Sequence, residues 1–183
     1  MRPEVETLRK SVYDFITKEI LVRELPEPVL EIGPMQECWT PVKKYFVDTR
    51  EHFRSKGASY IACDHDPSSG AEITSSVLEL GQKLGPKSVG TIIALEVIEH
   101  VSRIWELPAL FADLMKPGGM LFLSTPYYFF RHAPFPDYWR ISEDGLRLLF
   151  EERFEVEISP LILEDERKPI HYTLTGRKRQ AID

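Results

Sequence analysis

Apolar residues recur every three or four positions between residues 4 and 24. Val5, Leu8, Val12, Phe15, Ile16 and Ile20 are separated by charged residues, which predicts an amphipathic helix ended by Pro26 and Pro28. The period then changes. Short, nearly unbroken apolar runs at 29–32, 60–63, 91–95 and 120–124 read as strands buried on both faces. A briefer run at 73–76 predicts one more strand, and 77–84 a short helix or turn. Between the first two strands, Thr40-Pro41 reads as an N-cap followed by a first-turn proline, and Gly57 as a C-terminal cap, with Val42, Phe46 and Phe53 facing the core. Ile104, Leu107, Leu110, Phe111 and Leu114 form a second helical stripe, with Pro108 starting or kinking it. Ser142 caps a third helix whose first turn carries Glu143 and Asp144. The tail alternates as two strands, 154–163 and 170–175, joined closely enough to pair as an antiparallel hairpin.

Strands alternating with helices and closing in a hairpin predict an α/β fold: a doubly wound, Rossmann-like sheet of about seven strands with helices on both faces. It is mostly parallel, ending in an antiparallel C-terminal hairpin. Ligands bind such sheets at the carboxyl ends of the strands. The 183 residues, 43% hydrophobic and 28% charged, suit one domain spanning 1–183 with a single continuous sheet. A net charge of −6 lacks the surplus of Lys and Arg that coats duplexes or anionic membranes, so nucleic acid and membrane partners are not expected. The Arg177-Lys178-Arg179 run reads as a solvated tail. Cys38 and Cys63 share no ligand or disulfide spacing, the N-terminus carries no apolar leader, and no run approaches a membrane span. The expected location is the cytoplasm.

Several blocks carry chemistry. Gly33, closing the first strand, lets backbone amides approach a ligand carboxylate. Asp64, closing the second, can accept both hydroxyl protons of a ribose or can shape a turn before Asp66-Pro67. A nicotinamide site asks for Gly-x-Gly-x-x-Gly and an acid about 20 residues on, whereas a single Gly33 here precedes Asp64 by 31 positions. Glu96, Glu99 and His100 follow the most apolar strand, where solvated surface is a poor explanation for them. The segment 127–140 is rich in aromatic rings and prolines, which suits a lid over the strand ends, or a loop packed on the core by Tyr138 and Trp139 with Arg140 paired to Asp137; both are expected in part, with Trp139 structural.

In order along the chain, VLEIGP at 29–34, YIACDHDP at 60–67, ALEVIEHV at 94–101, KPGGMLFLSTP at 116–126 and DYWRISEDGL at 137–146 resemble the class I S-adenosylmethionine-dependent methyltransferases. Within these, the resemblance is to small bacterial type-11-like domains. It implies S-adenosylmethionine as cofactor, held by Glu31, Gly33, Pro34, Asp64, His65, Ser76, Val77, Leu95 and Glu96. It departs from the family where Pro34-Met35-Gln36-Glu37 replaces the usual further glycines. It implies His100 and His132 as catalytic proton-handling groups. Tyr127, Tyr128, Tyr138 and Arg140 would contact a small-molecule acceptor offering an O, N or C nucleophile, and residues 1–27 would pack on or cap the cofactor cleft. A module of the same fold that binds the cofactor without turnover is the alternative. The Glu-x-x-Glu-His block is also similar to that of ubiquinone-pathway O-methyltransferases and RNA 3′-end methyltransferases, where two Glu and two His bind a divalent ion. Glu96, Glu99, His100 and His132 would be the matching set, with Asp137 aligning nearer the fourth position. The pair Glu-His occurs widely in the family without metal, and none is expected here.

Overall fold

A computed structural model describes residues 3–35, 42–163 and 165–180. Its seven-stranded sheet has the order β3-β2-β1-β4-β5-β7-β6. The strands are β1 (Val29–Ile32), β2 (Tyr60–Asp64), β3 (Ile73–Thr74), β4 (Val89–Leu95), β5 (Met115–Pro126), β6 (Phe154–Leu161) and β7 (His171–Lys178). The first five pair in parallel, while β7 runs antiparallel to both β5 and β6. Alternating residues feed two cores. Leu30, Ile32, Ile92, Ala94, Leu121 and Leu123 face α3 (Leu80–Lys83), α4 (Leu107–Leu114) and α5 (Glu143–Phe150), whereas Val29, Ile93 and Phe122 face α1 (Pro3–Phe15) and α2 (Thr49–Ser55). Phe122 is fully buried and meets the Phe15 ring edge-on at 6.1 Å. No helix among the described residues is long and apolar enough to cross a membrane.

The elements depart from the sequence pattern where side chains compete with the backbone. The first helix is regular only to Phe15 and continues as a wider π turn, Ile16–Ile20, with the Leu21 amide donating to the Ile16 carbonyl at 2.9 Å. The Thr17 hydroxyl donates to the Tyr13 carbonyl at 2.8 Å, taking up part of the acceptor that an α-helical amide would use. Thr40-Pro41 lies outside the described residues. The helix expected there is in fact α2, begun by Asp48, whose carboxylate accepts from the Glu51 amide, and ended near Gly57 at φ +74°. Phe53 is buried on it, while Val42 and Phe46 are half-buried on the loop before it. Lys178 is no solvated tail. It belongs to β7, and its ammonium donates to the carbonyls of Ala112 and Met115, the last turn of α4.

Strand β5 begins five residues earlier than its apolar run because Lys116-Pro117-Gly118-Gly119 bulges out of register between the Val89 and Thr91 pairings. On the facing strand, Gly90 lies against the chain at Pro26. A Cβ there would come within 2.4 Å of the Pro26 carbonyl and 2.7 Å of the Glu27 nitrogen, both backbone atoms that cannot swing aside. Gly90→Ala is therefore expected to destabilise the protein by about 1–3 kcal/mol, lowering the thermal midpoint by roughly 2–12 °C. An unchanged midpoint in a scanning calorimeter would mean the Pro26 segment is free to move away.

Candidate functional site

The strand order reverses between β1 and β4, and a cavity of about 540 Å³ opens where their carboxyl ends diverge. Gly33 turns the chain out of β1 at φ +64°, with its amide donating to the Cys63 carbonyl at 2.8 Å. A Cβ there would lie 2.8 Å from Val97 Cγ2, so glycine is required both by conformation and by packing. Behind it, the buried Glu31 accepts hydrogen bonds from Thr49 Oγ1 and Tyr60 Oη, tying β1 to the start of α2 and to β2. Burial pushes the Glu31 carboxyl up, against those two bonds, and pushes the Tyr60 phenol up as well. Asp64 closes β2 with one oxygen accepting from the Asp66 amide at 2.9 Å and lying 3.2 Å from His65 Nδ1. Ser76 caps the next turn and Val77 packs beneath it. Arg9, Val12 and Ile16 close the cavity from the N-terminal helix.

At the other end, Glu96 follows β4 with φ +56°, and its amide donates to the Ser124 carbonyl at 3.1 Å. Its Oε1 accepts from Ser124 Oγ at 2.8 Å and lies 2.7 Å from Nε2 of the buried His171. Burial opposes the charge, but His171, Arg9 and Ser124 outweigh it and hold the Glu96 carboxyl down at about 2. Glu99 has the opposite fate. Its side chain is completely buried, burial and the neighbouring Glu96 charge push its carboxyl well up, and its Oε1 has no hydrogen-bond partner. His100 Nε2 and His132 Nε2 lie 3.7 and 3.9 Å from that oxygen. Burial pushes the His100 imidazole down.

The segment 127–140 is fastened at several points. The Glu99 carbonyl accepts from the Tyr138 and Trp139 amides at 2.8 and 3.2 Å, and Trp139 Nε1 donates to the Val101 carbonyl at 2.8 Å. Asp137, with a fully buried side chain, accepts from the His132 amide at 2.9 Å and takes both Arg140 terminal nitrogens at 2.6 and 2.7 Å. Burial works against that charge, and Arg140 and the His132 amide overcome it, holding the carboxyl at about 2.

No family model and no curated protein sequence matches the chain. Solved structures do. An S-adenosylmethionine-dependent methyltransferase of Archaeoglobus fulgidus superposes with a TM-score of 0.67 at 16% identity, over 93% of this chain and 94% of that one. The chain has the class I S-adenosylmethionine-dependent methyltransferase fold. A methyltransferase of Mesorhizobium loti shares this fold, with a TM-score of 0.59 at 12% identity over 93% and 100% of the two chains. So does a phosphoethanolamine N-methyltransferase of Haemonchus contortus, solved with phosphomonomethylethanolamine and S-adenosylhomocysteine. Its TM-score is 0.59 at 10% identity, over 93% of this chain and 53% of that one.

On this methyltransferase fold the cavity gathers Glu31, Gly33, Pro34, Asp64, His65, Ser76, Val77, Leu95, Glu96, His100, His132 and Tyr138. It does not gather Tyr127, Tyr128 or Arg140. Tyr127 packs against the core beneath α4 and α5, with its ring 5.5 Å from that of Tyr172. Tyr128 points outward, 60% exposed, with Lys168 over its ring. Arg140 is consumed by Asp137 and by the carbonyls of Phe129, Phe130 and Trp139. Sequence reasoning missed Arg9, Ser124 and His171. A histidine opening an otherwise apolar and threonine-rich strand was the available signal for the last. Arg140→Ala leaves the Asp137 carboxylate buried without its partner, and a loss of about 3–5 kcal/mol in urea unfolding is expected. Arg140→Lys, lacking the planar fork, should recover less than half of it. Unaltered stability in Arg140→Ala would free this residue for an acceptor.

Proposed function

We propose that the protein is a methyltransferase that moves a methyl group from S-adenosylmethionine to an O, N or C nucleophile of a small molecule. The observation that carries this reading is one continuous cavity joining the Gly33 turn and Asp64 at one end to His100 and His132 at the other. The cofactor, when bound, supplies an electrophilic methyl on a sulfonium centre. The chain's own groups suit the rest. The backbone at Gly33 and Pro34 meets the methionine end, with Glu31 fixing that turn from behind. Asp64 keeps lone pairs for two ribose hydroxyls, with His65 beside it, and Ser76 and Val77 border the adenine. Leu95 and Glu96 form the floor where the methyl group emerges, and Tyr138 walls the acceptor. His100 and His132 each direct Nδ1 to a main-chain carbonyl, Pro136 at 3.0 Å and Ala133 at 3.1 Å. A carbonyl only accepts, so Nδ1 carries the hydrogen and Nε2 offers a lone pair for the acceptor's proton. Alignment of nucleophile and methyl supplies most of the rate in such a displacement.

Titration calorimetry with S-adenosylhomocysteine and S-adenosylmethionine tests the cofactor assignment. Asp64→Ala should weaken binding by about 1.5–3 kcal/mol, roughly 10- to 150-fold, in a protein of unchanged circular dichroism. Absence of binding to the wild type would overturn the reading, and unchanged affinity in the variant would remove Asp64 from the site. Binding without transfer of a labelled methyl group to any pooled metabolite would favour the non-catalytic module.

A further inference from the structure

Three hydrogen-bond acceptors face one another at the acceptor end of the cavity. His100 and His132 spend their Nδ1 hydrogens on main-chain carbonyls, so both Nε2 atoms present lone pairs. They converge on Glu99 Oε1 at 3.7 and 3.9 Å, and the three ligand atoms lie within 4.8 Å of one another. Neither Glu99 Oε1 nor His100 Nε2 has a hydrogen-bond partner, although both are buried. Buried acceptors without donors are costly, and a cation among them removes the cost.

We infer that Glu99, His100 and His132 form a three-ligand centre for a divalent transition-metal ion, in which Glu96 takes no part. The related four-residue pattern would include Glu96. Here its Oε1 is held by His171 and Ser124, and both bonds would have to break for it to turn. Asp137, the aligned candidate for a fourth ligand, is bound to Arg140 instead and fixes His132 through the main chain. Nδ1–H to carbonyl bonds are the outer support that orients imidazole ligands for metal through Nε2. Bonds of about 2.0–2.1 Å in a tetrahedral set put ligand atoms about 3.3 Å apart, so the separations of 3.7 and 3.9 Å from Glu99 must close by about half an ångström, and no pair, all lying within 4.8 Å, by more than about 1.5 Å. One carboxylate oxygen and two imidazole nitrogens favour zinc, cobalt, iron or manganese over the all-oxygen sites of calcium and magnesium. His100 and His132 both line the cavity, whereas Glu99 lies behind them with its Oε1 buried. The triangle holds a proton or the ion, not both, and loading the metal replaces the proton-accepting role of Nε2.

The test uses the full chain, stripped with chelator and free of S-adenosylmethionine, so its outcome is independent of methyl transfer. Zn²⁺ is titrated by calorimetry and Co²⁺ by visible absorption, with Mg²⁺ as competitor. One equivalent of each transition ion should bind, unaffected by millimolar Mg²⁺. Glu99→Gln and His132→Ala should each weaken binding by about tenfold or more, in the range seen when metal-site groups are altered. Glu96→Gln should stay near the wild-type affinity, as should His52→Gln, a histidine on distant α2 that controls for adventitious capture. Circular dichroism and the thermal unfolding midpoint verify that the variants fold. No binding to the wild type, or Glu99→Gln and His132→Ala both binding as the wild type does, overturns the centre. Loss in Glu96→Gln equal to that in Glu99→Gln overturns the three-ligand assignment.

Discussion

The parallel pairing of β1 with β4 is the constraint on which the rest depends. Val29–Ile32 lies beside Thr91–Ala94 in register, and both strands are buried on both faces, so helices must cover each side. Because the chain proceeds to β2 on one side and returns to β4 on the other, the loops leaving β1 and β4 part. The crevice between them is a consequence of connectivity, and Gly33, Asp64 and Glu96 reach it because each closes or follows a strand there.

The loop after β5 is governed by a different interaction. Its main chain hangs from the Glu99 carbonyl, and its Asp137–Arg140 pair folds it back on itself. Together these place His132 against His100, 32 residues away in sequence, with ring centroids 5.2 Å apart. The same residue, Glu99, thus supplies the anchor for the loop through its backbone and the buried oxygen that faces both imidazoles through its side chain. A loop so tied can present ligand atoms with little freedom to lose on binding.

Much of this was legible in the sequence, for physical reasons that also explain what was not. Strands buried on both faces must be apolar throughout, so β1, β2 and β4 stand out as runs, and the glycine and acids that close them are read off by position. Side-chain competition leaves no such periodic trace. Thr17 interrupting α1, Asp48 rather than Thr40 beginning the described second helix, and Lys178 capping α4 each depend on a partner brought near by folding. Arg140 and Tyr127 looked like binding residues because a polar aromatic loop suggests a ligand. The competing pair of Arg140 with Asp137, three residues apart, was legible, whereas the sequence does not show that Tyr172 claims Tyr127. His132 was legible as a candidate, yet its approach to Glu99 depends on the Arg140 clamp.

The two glutamates after β4 show how a short backbone distance becomes a chemical difference. Glu96 takes the left-handed conformation, which costs about 1–3 kcal/mol for a residue with a side chain. That turn aims its carboxylate at β5 and β7, where Ser124 and His171 hold it charged. Glu99 sits on the short 3₁₀ turn that follows, Ile98–His100, and points its carboxylate into a space with imidazoles and without a donor to either oxygen except Thr125 at 3.4 Å. Burial first, and then the charge fixed on Glu96, push the Glu99 carboxyl well up. His171 thus belongs to Glu96 alone, and the two carboxylates, three residues apart, differ because one meets donors on the neighbouring strands and the other meets two imidazoles.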